Sequence, residues 1–340
     1  FNVTEGGGDS AEVALELMPG NKIRKYDTWH AMGQGATTGS LVVTLEALKE
    51  MHLTPEDIQL IQNDTKTCPD PGMAGASRSL YMDGNATIIA ANKLLAAMRK
   101  EDGTLRTYDE MKAEGIETKY LGRYETNTTP GLCRLDPNTG IGDPTPAFTY
   151  CLNLAEVEVD TKTGKTTVLK FTCVDFVGRI GNIDAVNGQA YSGIMHGIGF
   201  ALKEDYADVK KHANMFGAGT SYIKDVPDDI NLIHIDGAIS DGPFGSSGAS
   251  EAFQASGHCA VLNGIYNACG VRIHEIPALP EKVKAGLDAI AKGEKPYEPK
   301  KYFLGSDMYE ELENIKENPV QVGTQSFYVS LDDPTAERPF

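Results

Sequence analysis

Two alternating segments, residues 147–160 (AFTYCLNLAEVEVD) and 165–176 (KTTVLKFTCVDF), decide the fold of this chain. Apolar and polar side chains alternate along both, which is the two-residue period of a β-strand with one buried face. Residues 161–164 (TKTG) connect them, and the glycine can take a left-handed turn position. The pattern predicts an antiparallel β-hairpin, the clearest in the sequence.

The residues before this hairpin show a second alternating pair and three helical patterns. Residues 11–29 alternate on both sides of Pro-Gly-Asn at 19–21, which predicts another hairpin or two successive strands. Apolar residues recur at helical spacing in three places: from Leu41 onward, over 84–100 and around TYDEMKAEG. The segment IQLIQ, between the first and second of these helices, has the pattern of a strand. Residues 121–145 are rich in Thr, Asn, Pro and Gly, so we expect a long surface connection or domain boundary there.

After the hairpin, the pattern predicts a helix over 183–204, a strand at NLIHID, and helices at AVLNGIYNAC and from Pro280 to about residue 292. Three glycines in the first of these helices, at 193, 197 and 199, weaken it and therefore indicate the close approach of another backbone or of a flat ligand. The predicted fold class is α+β, with mixed sheets and hairpins, packed helices and two lobes. The expected divisions are 1–125, 146–293 and an extended tail at 294–340.

Composition excludes several classes of protein. The 340 residues carry a formal net charge of −17, which makes nucleic acid an unsuitable partner. No uncharged apolar run approaches the length of a membrane span. The six cysteines form no C-x-x-C pair, so we expect no iron–sulfur cluster in this chain, and their number suits free thiols in the cytoplasm.

Three loops of small residues each precede a helix: 33–39 (GQGATTG), 72–78 (GMAGASR) and 245–251 (GSSGASE). Free backbone N–H groups at a helix N-terminus attract anions, so together the loops predict a phosphate-bearing ligand. Ordinary turns between strands and helices remain the alternative for any one of them. The Walker A lysine, the G-x-S-x-G frame and paired histidines are all missing, which disfavours a P-loop enzyme, a serine hydrolase and a zinc site.

Glu251 is the candidate catalytic residue, because a carboxylate that follows six small residues has little to pack against. It is suited to be a general base. The alternative is an acid that stabilises the first turn of a helix through the macrodipole.

Five segments in order resemble the C-terminal half of the molybdenum-binding subunit of the xanthine oxidase family. They are TWHAMGQGATTGS, GMAGASRSLYMDGNA, GQAYSGIMHGIGFALKED, DGPFGSSGASEAF and ACGVRIHEIPALPEKV. Within the family, the chain most resembles bacterial molybdopterin-dependent aldehyde oxidoreductases. The order and spacing of five segments are far more specific than any single one.

The resemblance implies a molybdenum–molybdopterin cofactor, in a dinucleotide form such as the cytosine dinucleotide. Glu251 would be the base beside the metal, which is held through the pterin rather than by this chain's side chains. His196 stands where the family usually has glutamine. The cofactor-binding residues implied are Gly33, Gln34, Gly35, Ala36, Gly75, Ala76, Ser77, Arg78, His196, Gly248, Ala249 and Ser250.

The implied reaction is oxidation of an aldehyde to a carboxylic acid, with water as the oxygen source and electrons passed to iron–sulfur centres. The implied partners are the remaining half of the molybdenum-binding subunit, an iron–sulfur subunit or domain and an FAD subunit. Two alternatives stay open. One is a hydroxylase of an N-heterocycle such as a purine or nicotinate, and the other is a non-catalytic cofactor-binding subunit.

Overall fold

The computed structural model describes residues 9–62, 64–126, 147–208, 210–239 and 241–295. These residues form seven strands and seven α-helices among the described ranges, joined by short 3₁₀ turns. In chain order they are β1 Ser10–Met18, β2 Lys22–Tyr26, α1 Ala36–Ala47, β3 Ile58–Ile61, α2 Ser79–Met98, α3 Tyr108–Ala113, β4 Lys119–Glu125, β5 Tyr150–Val159, β6 Thr166–Phe176, α4 Ile183–Leu202, β7 Asp229–His234, α5 Ser250–Ala255, α6 Gly257–Cys269 and α7 Pro280–Ala291. The predicted α+β class is confirmed.

The first sheet has the strand order β3-β2-β1-β4. β1 pairs antiparallel with β2 and with β4, and β2 pairs parallel with β3. The first predicted hairpin is therefore correct, and its turn passes through Gly20 at φ 76°. Helix α2 packs across β1 and β4, and the core between them contains fully buried Leu15, Leu17, Leu94 and Met111.

The second sheet has the order β5-β6-β7, with β5 antiparallel and β7 parallel to β6. It contains the hairpin predicted from residues 147–176. One face packs against α4 and α6 around buried Phe171, Ile194, Ile198 and Val261. A third cluster of buried side chains joins the two halves of the chain and includes Val13, Met82 and Ile239.

The expected surface connection at 121–145 is wrong at its beginning, because residues 121–125 are the last five residues of β4. Residues 127–146 and the tail from 296 lie outside the described residues. Helices α1 and α2 also begin about five residues earlier than predicted. The first turn of α1 (ATTGS) consists of small residues, which hide its helical period. The two lobes stay a prediction, although each range contains one sheet with its helices.

Among the described residues, no helix is long and apolar enough to cross a membrane.

Gly122 in β4 tests how closely α2 lies on the first sheet. A Cβ at this position would lie 2.0 Å from the Ala86 carbonyl oxygen and 2.5 Å from the Ala90 nitrogen. We expect Gly122→Ala to lower the free energy of unfolding by about 3 kcal/mol, because backbone must move to accept the methyl group. Gly188→Ala is the control, since its Cβ meets open space within helix α4. It should stabilise by about 0.5–1 kcal/mol in the same denaturant titration, and equal stability of the two variants would contradict the prediction.

Candidate active site

The GQG loop, residues 30–35, connects β2 to α1. Gly33 and Gly35 have φ values of 104° and 85°, in the left-handed region that favours glycine. The Gln34 side chain folds back onto its own loop, where its Nε2 donates to the His30 carbonyl and its Oε1 accepts from the Met32 N–H, both at 2.5 Å. Gln34 therefore shapes the loop, while the backbone around Gly33 is exposed.

A buried ion pair supports the base of this loop. Lys25 Nζ lies 3.1 Å from Asp27 Oδ2, and both side chains are fully buried. Asp27 also accepts from Ser40 Oγ at 2.6 Å and from Gln62 Nε2 at 3.0 Å. Burial alone would raise the pKa of Asp27, but Lys25 and these two hydrogen bonds outweigh it and lower the pKa. The network ties the end of β2 to α1.

Asp83 on α2 interacts electrostatically with the buried Lys25–Asp27 pair. Burial raises its pKa to about 7. The negative charges of Asp27 and Asp9 raise the pKa further, and the positive charges of Lys25 and Arg78 lower it. Its side chain is 1% exposed, and its Oδ1 has no hydrogen-bond partner among the described residues. A carboxyl group in this environment keeps its proton at pH values below about 7.

The GASR loop, residues 71–78, connects to the start of α2 and is held by Arg78. The guanidinium is 1% exposed, and all five of its N–H donors have acceptors within the chain. Nε and Nη2 donate to the two carboxylate oxygens of Asp9, and Nη2 also donates to the Ser10 carbonyl at 2.9 Å. Nη1 donates to the carbonyls of Pro71 and Met73.

These contacts correct the expectation that Arg78 itself faces the cofactor, because its guanidinium has no donor left for a ligand. Arg78 instead fixes the conformation of the residues that precede it in the loop. Ala76 and Ser77 have φ values of 50° and 52°, an unfavourable left-handed conformation for two successive side chains. The anchored Arg78 holds both residues in place.

The glutamate loop, residues 241–250, continues the end of the second sheet. Gly178 and Ser246 form an isolated antiparallel bridge, and the Ser247 N–H donates to the Val177 carbonyl at 3.2 Å. Ser246 Oγ donates to the Arg179 carbonyl at 2.6 Å. The loop is thus fixed to the segment that follows β6, and it leads into α5, which carries Glu251.

The GASR and glutamate loops meet directly. Ser77 Oγ donates to Glu251 Oε2 at 2.7 Å and accepts from the Glu251 N–H at 3.2 Å. A Cβ at Gly248 would lie 1.7 Å from the Ser77 carbonyl oxygen, so only glycine fits there. The Asn85 side chain adds a hydrogen bond of 3.0 Å to the Asp241 carbonyl. Residues 174 positions apart in the sequence therefore share one site.

Helix α4 supports α5 from behind. A Cβ at Gly193 would lie 2.6 Å from the Phe253 Cβ, and one at Gly197 would lie 2.9 Å from the Gly257 Cα. The predicted close approach of a backbone is therefore present at Gly193 and Gly197, whereas Gly199 lies against the side chains of Glu204 and Ser221. His196 Nδ1 contacts Gln254 Nε2 at 3.1 Å, which places this candidate beside α5.

The structure thus brings Ser77, Gly248 and Glu251 into direct contact, and it places His196, on the neighbouring helix, against Gln254 of α5. The GQG loop reaches the same helix at its first turn, where Gly35 lies against Ala185. Sequence reasoning missed Asp9 and Gln254. Neither belongs to a motif, so no signal in the sequence singled them out.

A family model described as a molybdopterin cofactor-binding domain matches residues 1–227. The chain belongs to the molybdopterin cofactor-binding domain family. Proteins similar to the chain include aldehyde oxidoreductases and xanthine dehydrogenases, as the resemblance implied.

Three similar proteins show what share of a related enzyme this chain covers. The aldehyde oxidoreductase of Megalodesulfovibrio gigas is 41% identical over 283 residues, which are 83% of this chain and 31% of the relative. The crystal structure of the aldehyde oxidoreductase from Desulfovibrio desulfuricans matches with a TM-score of 0.78 and 44% identity, over 82% of this chain and 30% of that one. A probable hypoxanthine oxidase of Escherichia coli is 28% identical over 77% of this chain and 29% of its own length. The chain spans about a third of the length of these relatives.

The loops of this molybdopterin-binding chain fit an anionic cofactor. Among the described residues, no side chain caps α1 or α2, and neither helix has an acid in its first turn. Their first backbone N–H groups are therefore suited to phosphate oxygens. A Cβ at Gly33 would meet no atom within 4 Å, and one at Gly75 would meet only the end of the Met73 side chain. The backbone is thus open where a ligand would approach.

Asp83 predicts a pH dependence of stability. Its folded-state pKa of about 7 lies above its ordinary value of 3.8, so folding favours the protonated form and its contribution to stability is lost as pH rises between these values. Asp83→Asn keeps the size of the side chain and removes the titration. Relative to this variant, we expect the wild-type free energy of unfolding to fall by up to about 4 kcal/mol from pH 4 to pH 7.

Denaturant titrations at several pH values measure this difference. Asp236→Asn is the control, because Asp236 is exposed. The free energy of unfolding is plotted against pH for both proteins. If the wild-type curve stays parallel to the Asp83→Asn curve from about pH 4 to about pH 7, Asp83 does not titrate as stated.

Proposed function

We propose that the chain is the part of a molybdenum hydroxylase that provides the general base Glu251 and two or more loops of the cofactor site. The proposed reaction is oxidation of an aldehyde to a carboxylic acid, with oxygen from water. The contact between Ser77 and Glu251 carries the proposal, because it joins a cofactor loop to the candidate base. The 41% identity to an aldehyde oxidoreductase favours an aldehyde as the substrate.

When bound, the molybdenum–molybdopterin cofactor would supply the two-electron oxidation. The chain's own contribution is a positioned carboxylate. Ser77 donates to Oε2 of Glu251, and Oε1 has no hydrogen-bond partner among the described residues. Glu251 is exposed, so Oε1 is free to take a proton from the water that provides the oxygen.

The cofactor contacts would be made by small residues and backbone. Gly33, Gly35 and Ala36 would offer the start of α1, and Gly75, Ala76 and Ser77 the loop before α2. Gly248, Ala249 and Ser250 would line the approach to Glu251, with His196 against Gln254 of α5. Two uncapped helix starts favour a dinucleotide form of the cofactor, such as the cytosine dinucleotide, which has more phosphate to bind.

The remaining two thirds of such an enzyme would come from other polypeptide. We propose that this includes the other half of the molybdenum-binding subunit, iron–sulfur clusters and FAD, because the relatives are about three times longer than the matched region. A cytoplasmic location stays a prediction. The hypoxanthine oxidase relative keeps an N-heterocycle as the second candidate substrate. Turnover of a panel of aldehydes against purines and nicotinate separates the two.

Glu251→Gln tests the base. Glutamine keeps an oxygen that accepts from Ser77, but it cannot take up the proton, so we expect kcat to fall by about 10²-fold or more in the assembled enzyme. The molybdenum content should stay unchanged. Glu281→Gln is the matched control, because Glu281 is likewise an acid in a first helical turn. Near-normal turnover of Glu251→Gln with full molybdenum would mean that the glutamate is structural.

Gly75→Val tests the cofactor loop. The new side chain would displace only the end of Met73 within the protein, yet it would fill the space beside the loop backbone. We expect a folded protein that has lost most of its molybdopterin, measured by metal analysis and cofactor fluorescence. Gly103→Val adds the same side chain to a remote turn at φ 86°, so it should lower stability through backbone strain and yet retain the cofactor. Full occupancy in Gly75→Val would remove this loop from the cofactor site.

A further inference from the structure

Two thiols face each other across strands β5 and β6. The Sγ atoms of Cys151 and Cys173 are 3.4 Å apart, on the face of the sheet that α4 and α6 cover. The other described cysteines have different surroundings: Cys68 and Cys269 donate to main-chain carbonyls, and Cys259 is exposed. Nothing in the proposed aldehyde oxidation uses the pair.

The strand register explains how the two sulfur atoms meet. Cys151 pairs with Asp175, and Cys173 pairs with Asn153, so the cysteines are diagonal neighbours in an antiparallel ladder. A disulfide requires an S–S distance of about 2.05 Å, so the sulfur atoms have to approach by about 1.4 Å. Among the described residues, β5 is an edge strand with a neighbour on one side only, which favours such an adjustment.

The two thiols differ in access and in acidity. Cys173 is fully buried, whereas Cys151 is partly exposed. The hydrogen bond between the two thiols lowers the pKa of Cys151, while the same contact and burial raise the pKa of Cys173. A thiolate is the reactive form of cysteine, so Cys151 is the first to react and Cys173 the one that follows.

We propose that Cys151 and Cys173 are a peroxide-oxidised dithiol that closes reversibly to a disulfide. The Cys151 thiolate attacks a peroxide oxygen, the O–O bond breaks, and Cys151 becomes a sulfenic acid with release of water. The Cys173 sulfur then attacks the Cys151 sulfur and displaces a second water. Two thiols and one hydrogen peroxide thus give one disulfide and two waters, and a dithiol reductant reverses the change.

Peptide mapping of the full chain under non-reducing conditions tests the proposal. Folded protein is treated with hydrogen peroxide, alkylated and digested. We expect a Cys151–Cys173 cross-link lighter by two hydrogens, with about a tenfold loss of alkylated Cys151, restored by dithiothreitol. Alkylation of both cysteines after peroxide, or a dominant link to another cysteine such as Cys133, would overturn it.

Two variants test the order of events. In Cys151→Ser, buried Cys173 should stay reduced under the same treatment. In Cys173→Ala, Cys151 should accumulate as a sulfenic acid that dimedone traps. Cys259→Ser is the matched control and should form the cross-link as the wild type does. Oxidation of Cys173 at the wild-type rate in Cys151→Ser would overturn the assignment, and this variant suffices where Cys173→Ala does not fold.

Discussion

The site depends on one buried cation whose hydrogen bonds are all made within the chain. Arg78 binds Asp9 with two donors and three main-chain carbonyls with the rest, and removing one partner of such a buried pair typically costs about 3–5 kcal/mol. The left-handed Ala76 and Ser77 cost about 1–3 kcal/mol each and persist only where neighbours fix them. Arg78 therefore determines where the Ser77 hydroxyl lies.

The second constraint is the absence of side chains where the two halves of the chain meet. Gly248 lies against the Ser77 carbonyl, and Gly84 on α2 lies against Pro243, so a methyl group at either position would push the loops apart. The Ser77–Glu251 hydrogen bond spans this contact. Small residues in the two loops thus set the position of the carboxylate, although none of them carries out chemistry.

The hairpins, most helices and the three loops were predictable because their signals are local: a period of two, a period near four, and glycine before a helix. The burial of charged side chains in the interior was not predictable. Lys25 lies near the end of β2 and Asp27 follows the strand, and charged residues there are expected to be exposed. Both are fully buried, and Ser40 on α1 donates a hydrogen bond to Asp27. Arg78 was assigned to the ligand rather than to the loop, since its partner Asp9 is 69 residues away in the sequence. Such pairings depend on the tertiary fold, which a single sequence does not display.

The structure also bears on the two roles considered for Glu251. The start of α5 already has a cap, because Ser77 Oγ accepts from the Glu251 N–H. Helix α5 has only six residues, so its dipole gives an acid in the first turn little to stabilise. The same hydroxyl donates to Oε2 of the exposed Glu251 carboxylate and thereby orients it. A carboxylate needed only to cap the helix would duplicate a contact that Ser77 already makes, and this supports the assignment of Glu251 to proton transfer.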